Sequence, residues 1–123
     1  MQIQFTESAE NTEYLWIYFV VANLPVYLCC CYHPPKPNYS SAALVEVLCS
    51  HMNQILLTDS LSVIILAGDF NKLDCSKFEI DFGLTQIVTQ ATHGRSILDK
   101  CFINGPDLYN SVNVITSLIS TKH

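Results

Sequence analysis

From Tyr14 to Tyr32 every residue is apolar except Asn23 and Pro25. A run of this length and character has two outcomes: a single helix of about 20 residues crossing a membrane, or a pair of buried strands. Three features oppose the helix. Asn23-Leu24-Pro25 sets a turn signal in the middle, the flanks are rich in aromatic and β-branched residues, and no Lys or Arg cluster borders the run. Glu7, Glu10 and Glu13 precede it, opposite in sign to the basic start of a signal peptide. The run therefore reads as a β-hairpin, with strands Tyr14–Val21 and Val26–Tyr32 buried on both faces and no membrane span. The polar residues 1–13 read as a frayed N-terminus, and residues 14–123 as one domain without an internal boundary.

Half of the 123 residues are apolar and 14% are charged, which gives a sizeable core and excludes a disordered tail. The net charge of −5 argues against a protein whose main task is coating a polyanion, while local contact with phosphate stays open. Of the six cysteines, Cys29, Cys30 and Cys31 are consecutive and Cys49, Cys75 and Cys101 stand alone. Neighbours on a strand point to opposite faces, so the triplet cannot build a compact disulfide framework. No Cys-x-x-Cys pair is present for structural zinc. The cysteines read as small buried hydrophobes in a reducing compartment, so the chain is expected inside the cell and not secreted.

After the hairpin, His33-Pro34-Pro35-Lys36-Pro37-Asn38 must leave the sheet, because proline cannot donate to a ladder. Ser40 or Ser41 caps a helix whose apolar stripe is Leu44, Val47, Leu48, Met52, Ile55 and Leu56, with His51 at its boundary. A buried strand follows over Leu61–Ala67 and stops at Gly68. A helical turn is expected over Ser76–Phe82, ended by Gly83. Leu84–Thr89, Ile97–Asn104 and Val112–Leu118 are further strand candidates. Strand, helix, strand is the signature of an α/β layered fold, in which functional groups gather at strand ends.

Gly68-Asp69-Phe70-Asn71 occupies such an end. From an extended backbone Asp69 and Asn71 point the same way, and one carboxylate beside one amide suits orienting a water and binding a developing oxyanion. The competing reading is an Asx-type turn that ends a strand. Downstream, Asp99 falls just inside the apolar stretch Ile97–Ile103, where a carboxylate wants a histidine or a cation. The alternative is a solvent-facing Asp with Lys100 beside it. His123 is the kind of partner Asp99 would suit, although spacing alone does not join them.

Taken together, Tyr32-His33-Pro34-Pro35, Gly68-Asp69-Phe70-Asn71, Arg95-Ser96-Ile97-Leu98-Asp99 and Ser120-Thr121-Lys122-His123 resemble, in order and rough spacing, the motifs of the endonuclease/exonuclease/phosphatase superfamily. The likeness is greatest to the endonuclease domains of non-LTR retrotransposons and reverse transcriptases, and spans residues 14–123. It implies a partial deoxyribonuclease-I-like two-sheet α/β sandwich and Mg²⁺- or Mn²⁺-dependent cleavage of a phosphodiester, with DNA as the partner and the nucleus as a location. By position, the resemblance assigns Asp69 to the attacking water, Asn71 to the nucleophile or phosphate, and Tyr32 to the phosphate. Asp99 would hold His123, whose imidazolium would stabilise the pentavalent phosphate. Asp69 is the one candidate metal ligand.

The sequence departs from the family in three places. The N-terminal segment in which the family carries a metal-binding Glu and an Asn has no counterpart. Lys122 stands where the family has Asp, a positive charge in place of an oxygen ligand. His33 replaces an arginine, so a fixed cation near the phosphate is expected to become a pH-dependent one. These departures point toward a weakened enzyme, or toward a non-catalytic scaffold or interaction module. Without flanking strands the hairpin is expected to show bare edges and faces, favouring self-association or a further segment that completes the sheet.

Overall fold

The computed structural model describes residues 13–88 and 99–105. The elements in chain order are β1 (Glu13–Val21), β2 (Leu24–Tyr32), α1 (Ser41–Thr58), β3 (Val63–Asp69), α2 (Ser76–Phe82), β4 (Thr85–Gln86) and β5 (Asp99–Ile103). One five-stranded mixed sheet runs in the order β1-β2-β3-β5-β4. The β1–β2 and β3–β5 pairs are antiparallel, and α1 connects the parallel pair β2–β3. The mixed α/β class agrees with the strand–helix–strand reading. The expected strand Val112–Leu118 and the ends of Leu84–Thr89 and Ile97–Asn104 lie outside the described residues, as does most of the N-terminal stretch. Glu13 begins β1 and is not frayed.

The hairpin turns one step earlier than Asn23-Leu24-Pro25 indicates. Ala22 and Asn23 form a two-residue turn with φ of 51° and 66°, and Val21 pairs directly with Leu24. Both central residues are left-handed, the geometry whose twist matches paired strands. Pro25 then lies within β2. It pairs with Val20 next to the closing Val21–Leu24 pair, and the ladder to β3 starts only at Val26. Its missing N–H therefore interrupts neither ladder.

Burial separates the two hairpin strands. β2 is flanked on both sides, and Val26, Tyr27, Leu28, Cys29 and Cys31 are buried. β1 is an outer strand in the described sheet, and Leu15, Ile17 and Val20 are 61%, 41% and 57% exposed. Burial on both faces thus holds for β2 and fails for β1. The difference is one of sheet order, since both strands have equally apolar sequences.

Two apolar layers form on opposite faces of the sheet. On one, Cys29, Cys31, Ile64, Leu66 and Phe102 meet α1, with Phe70 and Phe78 packed edge-on around Phe102. On the other, Val26, Leu28, Val63, Ile65, Ala67, Cys101 and Ile103 are buried together. Strict alternation along β2, β3 and β5 allots residues between the two, as the strand period requires.

Ser40 caps α1, its Oγ accepting from the Ala43 N–H. The stripe is as expected, widened by Val45, Cys49 and His51. His51 is not a boundary residue: it is 1% exposed, and its Nδ1 accepts the Trp16 indole N–H at 3.0 Å. The Tyr14 and Trp16 rings lie 5.5 and 6.0 Å from the His51 ring, so the aromatic side of β1 is bound to the helix at this point. The expected strand Leu61–Ala67 is shifted to Val63–Asp69, because Asp59 closes α1 and accepts the Leu61 N–H, holding Leu61 in an exposed turn. Asn104 continues the β5 edge by its side chain, accepting from Ile64 N–H and donating to the Ser62 carbonyl. All six cysteines are free thiols, and only Cys30 is not buried.

Candidate functional site

Tyr32, Asp69 and Asp99 form one row across three adjacent strands. Tyr32 is the register partner of Asp69 in the parallel β2–β3 ladder, and Asp69 is the partner of Asp99 in the antiparallel β3–β5 ladder. Paired residues project to the same face, so the three side chains share the face opposite α1. Tyr32 is exposed and the two carboxylates are half-buried. Lys100 belongs to the other face, opposite Gly68, where its charge acts on Asp74 and Cys75.

Gly68 explains how the row comes together. Its φ is +144°, and a Cβ placed there would lie 1.9 Å from the Cys31 carbonyl oxygen. Only glycine lets β3 approach β2 this closely one residue before the row. β3 then runs on through Asp69 and does not stop at Gly68.

The backbone turns immediately afterwards. Asn71 has φ of 47°, and its N–H donates to Asp69 Oδ1 at 3.0 Å. This is the Asx-type turn, and Asp69 and Asn71 do not alternate along one extended strand as the functional reading of the motif supposed. Asn71 instead leans toward β2, where Nδ2 donates to the His33 carbonyl. One amide hydrogen of Asn71 is committed there; among the described residues the other, together with Oδ1, remains as polar capacity. Asp69 likewise keeps Oδ2 outside its turn bond.

His33 joins these parts, and sequence reasoning misplaced it. Its N–H donates to the Asp69 carbonyl at 2.8 Å. Nδ1 lies 3.2 Å from the Phe70 carbonyl, an acceptor only, so Nδ1 carries the proton. Nε2 then accepts from Ser41 Oγ at 3.1 Å, tying the strand ends to the start of α1. At 5% exposure, the ring is turned into the fold and not toward a ligand at the surface. The signal for this was the residue's place between an apolar strand and a proline run, where a polar side chain has little room to reach water.

An open groove of about 460 Å³ adjoins the row toward β1, lined by Glu13, Leu15, Cys30, Tyr32, Ala67 and Gly68 among others. Among the described residues no group of three or more His, Cys, Asp or Glu side chains is placed to hold a metal ion. The donor set at the row is two facing carboxylates. That suits a weakly held Mg²⁺ that keeps waters and borrows substrate oxygens, and not an all-protein cage. His123 and the Arg95–Leu98 segment lie outside the described residues, so the structure brings together Tyr32, Asp69, Asn71 and Asp99. Comparison with known protein families finds no match to this chain, and comparison with curated proteins finds none either.

Proposed function

We propose that the row Tyr32–Asp69–Asp99, with Asn71, belongs to a phosphodiester-hydrolysing site of the endonuclease type. The observation that carries this reading is the register. Residues from three separated motifs stand side by side on one face at the ends of three strands. A further support is the burial of the apolar face opposite α1, the surface on which the second sheet of a deoxyribonuclease-I-like sandwich packs.

In this reading Asp69 Oδ2 orients the attacking water and takes its proton, with Oδ1 fixed by the Asn71 N–H so that the carboxylate plane does not rotate. The Tyr32 hydroxyl, exposed at the end of β2, donates to a phosphate oxygen. The second Asn71 amide hydrogen is available to the same group. Asp99 orients His123, whose imidazolium stabilises the charge that builds on phosphorus. Such chemistry is mostly positioning and charge stabilisation, which a row on rigid strands supplies. Mg²⁺ or Mn²⁺ held at Asp69, with waters and substrate oxygens completing its shell, would contribute Lewis acidity. DNA is the proposed substrate and the nucleus a proposed location.

A second reading, a scaffold without turnover, is favoured by one specific observation: Asp69 Oδ1 and one amide hydrogen of Asn71 are already used in an ordinary strand-ending turn that reaches His33. The two are separated by Mg²⁺-dependent nicking of supercoiled plasmid by the purified chain, beside Asp69→Ala and His123→Ala prepared identically. Nicking lost in both variants establishes the site. Equal background in all three, from protein shown to be folded, leaves the scaffold.

A further inference from the structure

We propose that Ser41 is an activated nucleophile with His33 as its base, in a second site that hydrolyses short, uncharged carboxylic esters. His33 Nε2 lies 3.1 Å from Ser41 Oγ, and His33 Nδ1 lies 3.2 Å from the Phe70 carbonyl. A carbonyl only accepts, so the ring proton is held at Nδ1 and the Nε2 lone pair is aimed at the hydroxyl. A nucleophile, a base within hydrogen-bond reach and a third group that orients the base are the parts such chemistry needs. Here they come from three separate places: the residue after β2, the first residue of α1 and the residue after β3. The Phe70 carbonyl also accepts the Leu73 N–H at 2.9 Å, so the orienting group is itself held in position.

Ser41 lines an open cavity of about 380 Å³ between α1 and the segment that leads into α2. Ala42, Val45 and Leu73 give it apolar walls for an acyl chain, while Glu46 and Asp74 outnumber Lys77 and disfavour an anion. The Ala43 and Leu44 N–H groups are taken up by Ser40. Those of Ser41 and Ala42 have no bond among the described residues and stand beside the hydroxyl as donors for the oxyanion of a tetrahedral intermediate. In the reaction Ser41 Oγ attacks the ester carbon as its proton passes to His33 Nε2. The bond to the alcohol oxygen breaks, and Nε2 returns the proton to that oxygen. Water then attacks the acyl-serine by the same route, releasing the carboxylic acid and restoring the hydroxyl. The cavity lies on the α1 side of the sheet and the row Tyr32–Asp69–Asp99 on the other, so the inference stands without the proposed phosphodiester hydrolysis.

The test treats the full chain with a fluorophosphonate, which bonds through phosphorus to an activated serine oxygen as fluoride leaves; peptide mass spectrometry locates the adduct. Folded wild type should carry it on Ser41, and protein unfolded in urea should carry none. Ser41→Ala should stay unlabelled. His33→Asn, whose amide cannot take the proton, should label on the order of 100-fold more slowly. With p-nitrophenyl butyrate, wild type should release nitrophenol faster than Ser41→Ala. No adduct on folded wild type overturns the proposal, as do an adduct that persists in Ser41→Ala, an undiminished rate in His33→Asn, or equal nitrophenol release. If His33→Asn fails to fold, the comparison of wild type with Ser41→Ala decides alone.

Discussion

Asp69 and Asp99 stand directly opposite each other in the β3–β5 ladder, two carboxylates on one face of one antiparallel pair. Cross-strand partners of this kind have Cβ atoms about 4.5–5.5 Å apart, and like charges placed so are destabilising. A fold selected for stability alone would not favour that arrangement. Asp99→Asn should therefore keep stability or raise it by roughly 0.2–1 kcal/mol in urea denaturation, within the range for such pairs. In the nicking assay the same variant should lose activity. A large loss of stability would mean instead that Asp99 holds the strand end together.

Gly68→Ala tests the closeness of β2 and β3. The added methyl meets backbone and not a yielding side-chain tip, and the φ is one that alanine rarely adopts. Strand separation should cost about 3 kcal/mol or more, enough to unfold a marginal domain, and should appear as a fall in the urea midpoint or as insoluble protein.

His33→Ala removes two hydrogen bonds, from Nδ1–H to the Phe70 carbonyl and from the Ser41 hydroxyl to Nε2, while the Phe70 carbonyl keeps its bond from the Leu73 N–H. The expected loss is about 1–3 kcal/mol. His33→Asn keeps a donor near the Nδ1 position and should recover part of it. His33→Arg, which introduces the residue of the resembling family, should be no better than alanine, since the ring site is buried and offers a carbonyl and a hydroxyl as its polar partners. Recovery by arginine would show that this position reaches solvent after all. Thermal melts of the three variants distinguish these outcomes.

Alkali should act through the thiols. Burial pushes Cys31 up to about 12 and Cys49 and Cys75 up to about 11, from an ordinary value of 9.0. For an acid whose folded value is raised, the folded state holds the proton longer. The stabilisation is thus complete below about pH 9 and is lost as pH rises toward 11 and 12. For Cys31 alone the full span is on the order of 4 kcal/mol. Denaturation midpoints should be flat between pH 7 and about pH 9 and fall above it, and Cys31→Ala should reduce the slope.

The parts of this fold that announce themselves in the sequence are those with a strong period or a strong cap. The α1 stripe, a serine cap at Ser40 or Ser41, α2 ended by Gly83, and the apolar runs of β2 and β3 belong here. What escapes is whatever depends on which strand lies beside which. Leu15 and Cys29 occupy equally apolar strands, yet only the order β1-β2-β3 decides that one is exposed and the other enclosed. The Gly68–Asn71 string was legible as a strand end. That its asparagine takes a left-handed φ and bonds back to His33 was not, because the partner lies 38 residues away in sequence. His51 shows the same limit: helical spacing places it near the stripe, and only the packing of Trp16 across the sheet gives its nitrogen a partner and draws it inside. The candidate row was visible as separate residues, whereas their alignment depended on register.

The parallel pairing of β2 with β3 has a consequence for how the chain is made. β1 and β2 leave the ribosome together and close on each other locally. The strand that completes β2, however, is synthesised only after the proline segment and all of α1, and β5 comes later still. Through that interval the nascent chain carries an apolar strand with one open edge and uncovered faces, the condition in which chains of this kind aggregate. The demand on cellular folding assistance is therefore set by the delay between Tyr32 and Val63, and a holding chaperone would engage the hairpin before α1, β3 and β5 have been made.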